Sequence, residues 1–327
     1  MSKYSQRPLD FTKLETVPLK ERGGKVKAGD FAAPYRQGSG ITGWLDSLPH
    51  ILAGNGFRAV VDAMSTARAS GRAILWGLGG HVIKCGLAPV LVDLMRRGYA
   101  TAFALNGAAA IHDFEIALAG HTSEDVEAVL PDGRFGAAEE TGREMNRAIS
   151  EGNRDGLGIG EALGRWLEAE APKEPGAASL LLEAYRNSTP VTVHVTIGAD
   201  TPHIHPAVDA AGIGSAGHHD FRLFSASAVA LNQGGVYLNV GSAVVLPEVF
   251  LKAVAAVRNL GYPLENFTTA NFDFIQHYRP RVNVVERPHL GQPNRPAAPG
   301  VAGGGHAITG HHELMIPLLA ATLIEKN

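Results

Sequence analysis

Residues 73–118 read AILWGLGGHVIKCGLAPVLVDLMRRGYATAFALNGAAAIHDFEIAL, and one pattern occurs in them twice. The apolar run Ala73–Trp76 ends in Gly77-Leu78-Gly79-Gly80, and a helical stretch, Val82–Arg97, follows. Ala100–Leu105 repeats the run, Asn106-Gly107 the turn, and Ile111–Leu118 the helix. Short apolar runs without alternation suit strands covered on both faces. Strand, glycine turn and helix in succession predict a parallel α/β sheet with right-handed crossovers.

The same reading extends outward. Val191–Ile197 is a β-branched strand, and Phe221–Leu231 is helical. Gly235–Val240 is a strand that enters the helix Pro247–Asn259 through Gly241-Ser242, Phe267–Phe274 a further strand, and Leu314–Ile324 a closing helix. Upstream, Ser47–Ser70 is helical, with Phe57, Val60, Val61 and Met64 at helical intervals. Glu139–Ile149 and Gly160–Glu170 read as surface helices with solvated charges, and Gly152–Gly160 and Ala171–Ala177 as linkers. Arg279–Gly305, rich in proline and glycine, carries no periodic pattern, as expected of a functional, disordered or assembly loop. Residues 1–40 form an extended arm, of the kind that lies across a neighbour in an oligomer, and 41–327 a single α/β domain.

Composition limits the function. A hydrophobic fraction of 45% and a charged fraction of 19% are those of a soluble globular protein. A formal net charge of -3 argues against nucleic-acid and anionic-membrane surfaces, both of which need a basic excess. No apolar run reaches the roughly 20 residues of a membrane span, and MSKYSQRPLDF has no apolar export core. Cys85 is the single cysteine, which excludes an intramolecular disulfide and fits a reducing cytoplasm.

Three strand-to-helix turns carry small residues: Gly77–Gly80, Asn106–Ala109 and Asn239–Ala243. Glycine lets backbone N–H groups approach a phosphate, and the helix that follows adds its dipole. The same residues also serve tight sheet packing, and none of the three turns is a G-x-G-x-x-G.

The segments Ile74–Gly86, Ala102–Ala119, Thr192–Asp220, Val236–Gly261 and Gly310–Ala321 fall in the order and rough spacing of a deoxyhypusine synthase, which the chain resembles over about residues 40–325. The resemblance implies a Rossmann-like doubly wound sheet, an NAD cofactor and a homotetramer. Gly79-Gly80-His81-Val82-Ile83 stands where the family's T-S-N-L-I-S-like turn holds NAD. Asn106-Gly107-Ala108 opens the counterpart of T-A-G-G-V-E-E-D, which runs on to His112-Asp113. Asp209 resembles the aspartate of P-A-L-T-D-G-S, Gly241-Ser242 the G-G-G-V-V turn, and His311-His312 the pair ahead of F-P-L-L. Departures are equally plain. The paired glutamates of the second turn are gone, Pro247 or Glu248 replaces a polyamine-contacting histidine, and no lysine occurs between Lys252 and Lys326. The family's imine chemistry needs a lysine there, so deoxyhypusine synthesis is not expected.

Many of the 14 histidines are grouped: His203 and His205 precede Asp209, His218-His219 follow it, and His311-His312 precede the last helix. Imidazole suits both metal ligation and acid/base work. His203, His205, His218 and His219 are therefore candidate ligands, although their spacing matches no standard zinc pattern. His112, Asp113, His205 and Asp209 are candidate acid/base residues, with Asp113 able to orient His112. Lys84 is the one lysine near a cofactor turn, and Ser65 and Ser242 lack a triad context. Three classes stay open: an NAD-dependent enzyme on a different small substrate, a metal-dependent enzyme, or a binding protein without catalysis.

Overall fold

The computed structural model describes residues 2–176, 178–291 and 303–326. After the arm come α1 (Gly40–Ser47) and α2 (Leu52–Ala69), then β1 (Ile74–Leu78), α3 (Gly80–Lys84) and α4 (Ala88–Arg96). β2 (Ala102–Asn106) leads into α5 (Gly107–Ala119), followed by α6 (Val126–Val129), α7 (Glu139–Arg154), α8 (Ile159–Glu170), α9 (Lys173–Gly176) and α10 (Leu180–Arg186). β3 (Val191–His194), α11 (Ala210–Val229), β4 (Val236–Val240), α12 (Val245–Asn259) and β5 (Thr268–Asp273) continue the alternation. Short turns from α13 (Tyr278–Pro280) to His289, then β6 (Gly304–Thr309) and α14 (His312–Lys326), complete the chain.

The six strands are parallel and lie in the order β3-β2-β1-β4-β5-β6. This is the expected Rossmann-like doubly wound sheet, with its topological switch between β1 and β4. Strand alternation divides the core. Ile74, Trp76, Leu78, Phe103 and Leu238 face α2, α4, α5 and α14, while Leu75, Ala104 and Tyr237 face α11 and α12. Trp76 is wholly buried and donates its indole N–H to the Tyr99 carbonyl at 2.8 Å. Gly77 makes room for a neighbour, since a Cβ there would stand 2.4 Å from the Tyr237 hydroxyl.

Several boundaries differ from the sequence reading, for local reasons. Val82–Arg97 is two helices, because Gly86 takes φ +75 between them. α11 begins at Ala210 rather than Phe221, since Gly212, Gly214 and Gly217 hide its first turns from a propensity reading. Gly152–Gly160 is no linker: it holds the end of α7, a tight turn and the start of α8. Ala171–Ala177 contains α9, with Ala177 outside the described residues. Within Arg279–Gly305 the chain winds helically through His289 and resumes in β6, while 292–302 lie outside the described residues. No helix among the described residues is long and apolar enough to cross a membrane.

Candidate functional site

Two places at the carboxyl ends of the strands are candidates for a ligand. The first is the crevice at the β1/β4 switch. There Gly79 and Gly241 are in contact, since a Cβ on Gly79 would lie 1.9 Å from the Gly241 carbonyl oxygen. Gly241 itself has φ +67, and a side chain on it would strike His312 at 2.9 Å. A buried asparagine pair sets this turn: Asn239 Nδ2 donates to the Ser242 carbonyl at 2.9 Å and to Asn271 Oδ1 at 2.7 Å.

An NAD molecule needs backbone N–H groups for its diphosphate, and the start of α12 offers them. Its N-cap, Val244, supplies no side-chain cap, and Ser242 Oγ takes only the Leu246 N–H at 3.1 Å. The N–H groups of Ala243 and Val244 donate to no acceptor among the described residues. Ala243 and Val244 thus fit the group, while the Gly241 N–H is already given to the Phe272 carbonyl at 3.1 Å. The start of α5 does not, because Asn106 takes the Ala109 N–H at 2.9 Å and the Asp200 carboxylate lies where a Cβ on Gly107 would be. Val82 and Ile83 are buried core residues, so only backbone could serve a ligand there. Gly80 is needed for packing against Ala108, whose Cβ would be 2.9 Å from its own.

The second hollow is a cavity of about 890 Å³ over the outer face of α5, reached from Ala108 and His112 and closed by α7, α8 and the loops at 121–126 and 199–201. A cavity of this size accommodates a small ligand. Glu115, Glu124, Glu140, Glu144, Glu170 and Asp200 line it against Lys84 and Arg147, the only permanent cations among the described lining residues, with Trp166 and Phe135 as aromatic walls. His112 Nδ1 is 2.7 Å from Thr122 Oγ1, whose hydroxyl also reaches Glu115 Oε2; Thr141 Oγ1 donates to Glu115 Oε1 at 3.1 Å. Burial holds His112 below the usual histidine range, opposed by Glu115, so its imidazole is neutral. Glu144 Oε1 accepts from Arg143 at 2.7 Å, but its buried Oε2 has no hydrogen-bond partner among the described residues.

The other expected site residues lie elsewhere. Asp113 points away from His112 into the core. Its Oδ2 accepts from Ser179 Oγ at 2.6 Å and Leu181 N at 2.8 Å, and its Oδ1 from Leu180 N at 2.7 Å. It thereby closes the start of α10, and Thr122 and Glu115 orient His112 in its place. Asp209 is the exposed N-cap of α11, bonding Gly212 N at 2.9 Å. His205 packs on Gly142 and holds Glu139 at 3.3 Å. His203 stands half-buried beside Asp200, His218 is exposed on α11, and His219 packs against Gly158.

No group of three or more His, Cys, Asp or Glu side chains among the described residues could hold a metal ion. The histidine-cluster metal centre is thus not assembled: 203 and 205 turn toward α7, while 218 and 219 are carried off inside α11. His311 stacks on Phe274 at 6.0 Å, and His312 is wholly buried.

Sequence reading treated the charges of α7 as solvated, yet Glu140, Glu144 and Arg147 line the cavity. Their spacing at i, i+4 and i+7 was the available signal, since it places them on one helix face. Asp200 and Asp273 carried no such signal.

No family model matches the chain, and no curated protein matches it. Among solved structures, the chain is similar to a conserved protein from Methanococcus maripaludis S2 proposed as LOR/SDH, at 16% identity and TM-score 0.49, over 84% of this chain and 70% of that one. It is similar to AgrE, crystallised with ornithine and NAD+, at 16% identity and TM-score 0.48, over 84% of this chain but only 34% of that one. It is also similar to a proposed deoxyhypusine synthase from Entamoeba histolytica at 10% identity and TM-score 0.46, over 90% and 96% of the two chains.

Proposed function

We propose that this chain is an enzyme of deoxyhypusine synthase-like build that acts on a small organic cation in the α5 cavity, with NAD in the adjoining crevice, and that it does not make deoxyhypusine. The observation that carries this reading is the lining: six carboxylates against two permanent cations among the described residues, with the buried Glu144 Oε2 hydrogen-bonded to none of them and facing Arg147 only at 3.9 Å. A buried carboxylate oxygen without a donor is costly, and an ammonium or amidinium group relieves that cost. Trp166 and Phe135 add π faces that favour the same charge.

The N–H groups of Ala243 and Val244 would hold the diphosphate beside Gly241, and NAD bound there supplies a hydride acceptor. His112, neutral and fixed by Thr122, is the residue suited to take or return a proton in the cavity. Lys84 lines the cavity and stays a contact rather than a nucleophile, since the chain gives it no desolvated pocket.

Calorimetric titration tests the reading. A linear diamine should bind, while a dicarboxylate of equal length should not, and Glu144→Gln should weaken the diamine roughly tenfold by removing one desolvated charge. Separately, millimolar NAD+ should raise the melting temperature. Equal responses to diamine and dicarboxylate would overturn the cationic substrate, and a flat melting temperature the cofactor.

The assembly is proposed as a homotetramer that uses the arm. Leu9, Phe11, Leu14, Val17 and Leu19 are each more than two-thirds exposed, which is unusual for neighbouring large apolar residues of a monomer. Light scattering of the whole chain and of one lacking residues 2–39 decides this; an unchanged mass would reject the arm's role.

A further inference from the structure

His81 on α3, His312 on α14 and Asp273 at the end of β5 form a chain of contacts beside the β1/β4 crevice. His81 Nδ1 is 3.0 Å from His312 Nδ1. His312 Nε2 is 3.3 Å from the Phe272 carbonyl oxygen and 3.7 Å from Asp273 Oδ1. His312 and Asp273 are buried, while His81 is exposed at one edge.

The protons in this chain are assigned by the chemistry of its ends. A carbonyl oxygen only accepts, so Nε2 of His312 carries a hydrogen. Burial holds His312 below the ordinary histidine range, against the pull of Asp273, so the ring is neutral and its Nδ1 bears a lone pair. His81 Nδ1 must then donate, which in the neutral ring leaves the lone pair on Nε2. The Gly241 N–H also donates to the Phe272 carbonyl, at 3.1 Å, which ties the relay to the β4 turn.

The neighbouring charges do not disturb this order. Cys85 Sγ lies 3.3 Å from His81 Nδ1 and 3.6 Å from Nε2; burial, with Glu313, holds the thiol above its usual range, and its hydrogen is given to Glu313 Oε2 rather than to His81 Nδ1. Its nearest carboxylate is Glu313 Oε2 at 3.8 Å, and Glu313 in turn faces His311 at 3.9 Å. Lys84, on the same short helix, lines the cavity.

We infer that His81 is a tautomer-locked general base serving the crevice, with His312 and Asp273 as its positioning residues. The inference rests on the proposed reading of the crevice as a ligand site, and it gives that crevice a base of its own beside His112 in the cavity. When His81 Nε2 takes a substrate proton, its Nδ1 proton can pass to His312 Nδ1. The positive charge then lies beside the Asp273 carboxylate, and His81 is left neutral with the acquired proton on Nε2.

The test needs neither cofactor nor substrate, so its failure is separate from failure of the cation or NAD reading. Long-range proton–nitrogen spectra of the full chain labelled with nitrogen-15 in histidine, taken above the histidine titration range, report each ring's tautomer. The wild-type chain should show the hydrogen on Nδ1 of His81 and on Nε2 of His312. His312→Leu should return His81 to the common Nε2–H form and slow its carbethoxylation by diethyl pyrocarbonate several-fold, with exposed His218 unchanged as control. His312→Gln, which keeps an acceptor oxygen, should restore both readouts. Asp273→Asn should move the His312 titration midpoint to lower pH by removing the charge that favours its protonation. A wild-type His81 with its hydrogen on Nε2 overturns the inference even if no variant folds, as does a folded His312→Leu chain with unchanged His81.

Discussion

Asp220→Asn should make this protein more stable in mild base and erase most of one pH dependence. Asp220 sits on α11 with no exposed surface, and one oxygen accepts the N–H groups of Gly160 at 3.0 Å and Val193 at 2.7 Å. The other oxygen has no partner among the described residues. Burial is the larger effect and pushes the carboxyl from 3.8 up to about 7, against those hydrogen bonds. The folded chain therefore keeps a proton that the unfolded chain has lost, and stability falls as pH rises from about 4 to about 7. Between pH 5 and 8 the loss is about two pKa units, or roughly 3 kcal/mol. An asparagine oxygen can accept both N–H groups and never ionises, so the variant should lack that slope. Urea unfolding followed by circular dichroism at both ends of the range measures the difference between variant and parent. Equal slopes, or a variant less stable than the parent at the alkaline end, would refute the reasoning.

Asp113→Ala should cost about 2 kcal/mol or more, because it strands the buried N–H groups of Leu180 and Leu181; denaturant unfolding reads this, and diamine affinity should not change. Tyr237→Phe should stabilise by about 1 kcal/mol, since the hydroxyl is buried without a hydrogen-bond partner among the described residues, and a lower urea midpoint would contradict that. Gly241→Ala should destabilise by about 1–2 kcal/mol, through its φ of +67 and the approach of His312, and should abolish the melting shift with NAD+.

The sheet was legible because its strands are short apolar runs joined by glycine turns, a pattern set by burial on both faces. β6 was not, since Gly304-Gly305-His306 has little strand character and pairs only because β5 presents a free edge. The site was half legible. Ala108 and His112 line the cavity, and Gly241 and Ser242 stand at the β4 turn, since residues at strand ends gather there by topology. Asp113 did not, because one step along a helix turns a side chain by about a quarter-turn, here from the cavity to the core. Asp273 and Glu144 were invisible because their meaning comes from elements distant in sequence.

The strands also change character along their length. β1, β3 and β4 begin with the aliphatic residues Ile74, Val191 and Val236, while Asn106, His194, Asn239, Asn271 and Asp273 stand toward the carboxyl ends of β2 to β5. Apolar burial is thus densest at one end of the sheet, and the other end is held by directional polar contacts. Amide hydrogen exchange should follow that gradient, slowest near the amino ends and faster toward the crevice. Local opening is then directed to the edge where ligands enter, and occupancy of either hollow would be registered first as slowed exchange in the final residues of β1, β2 and β4.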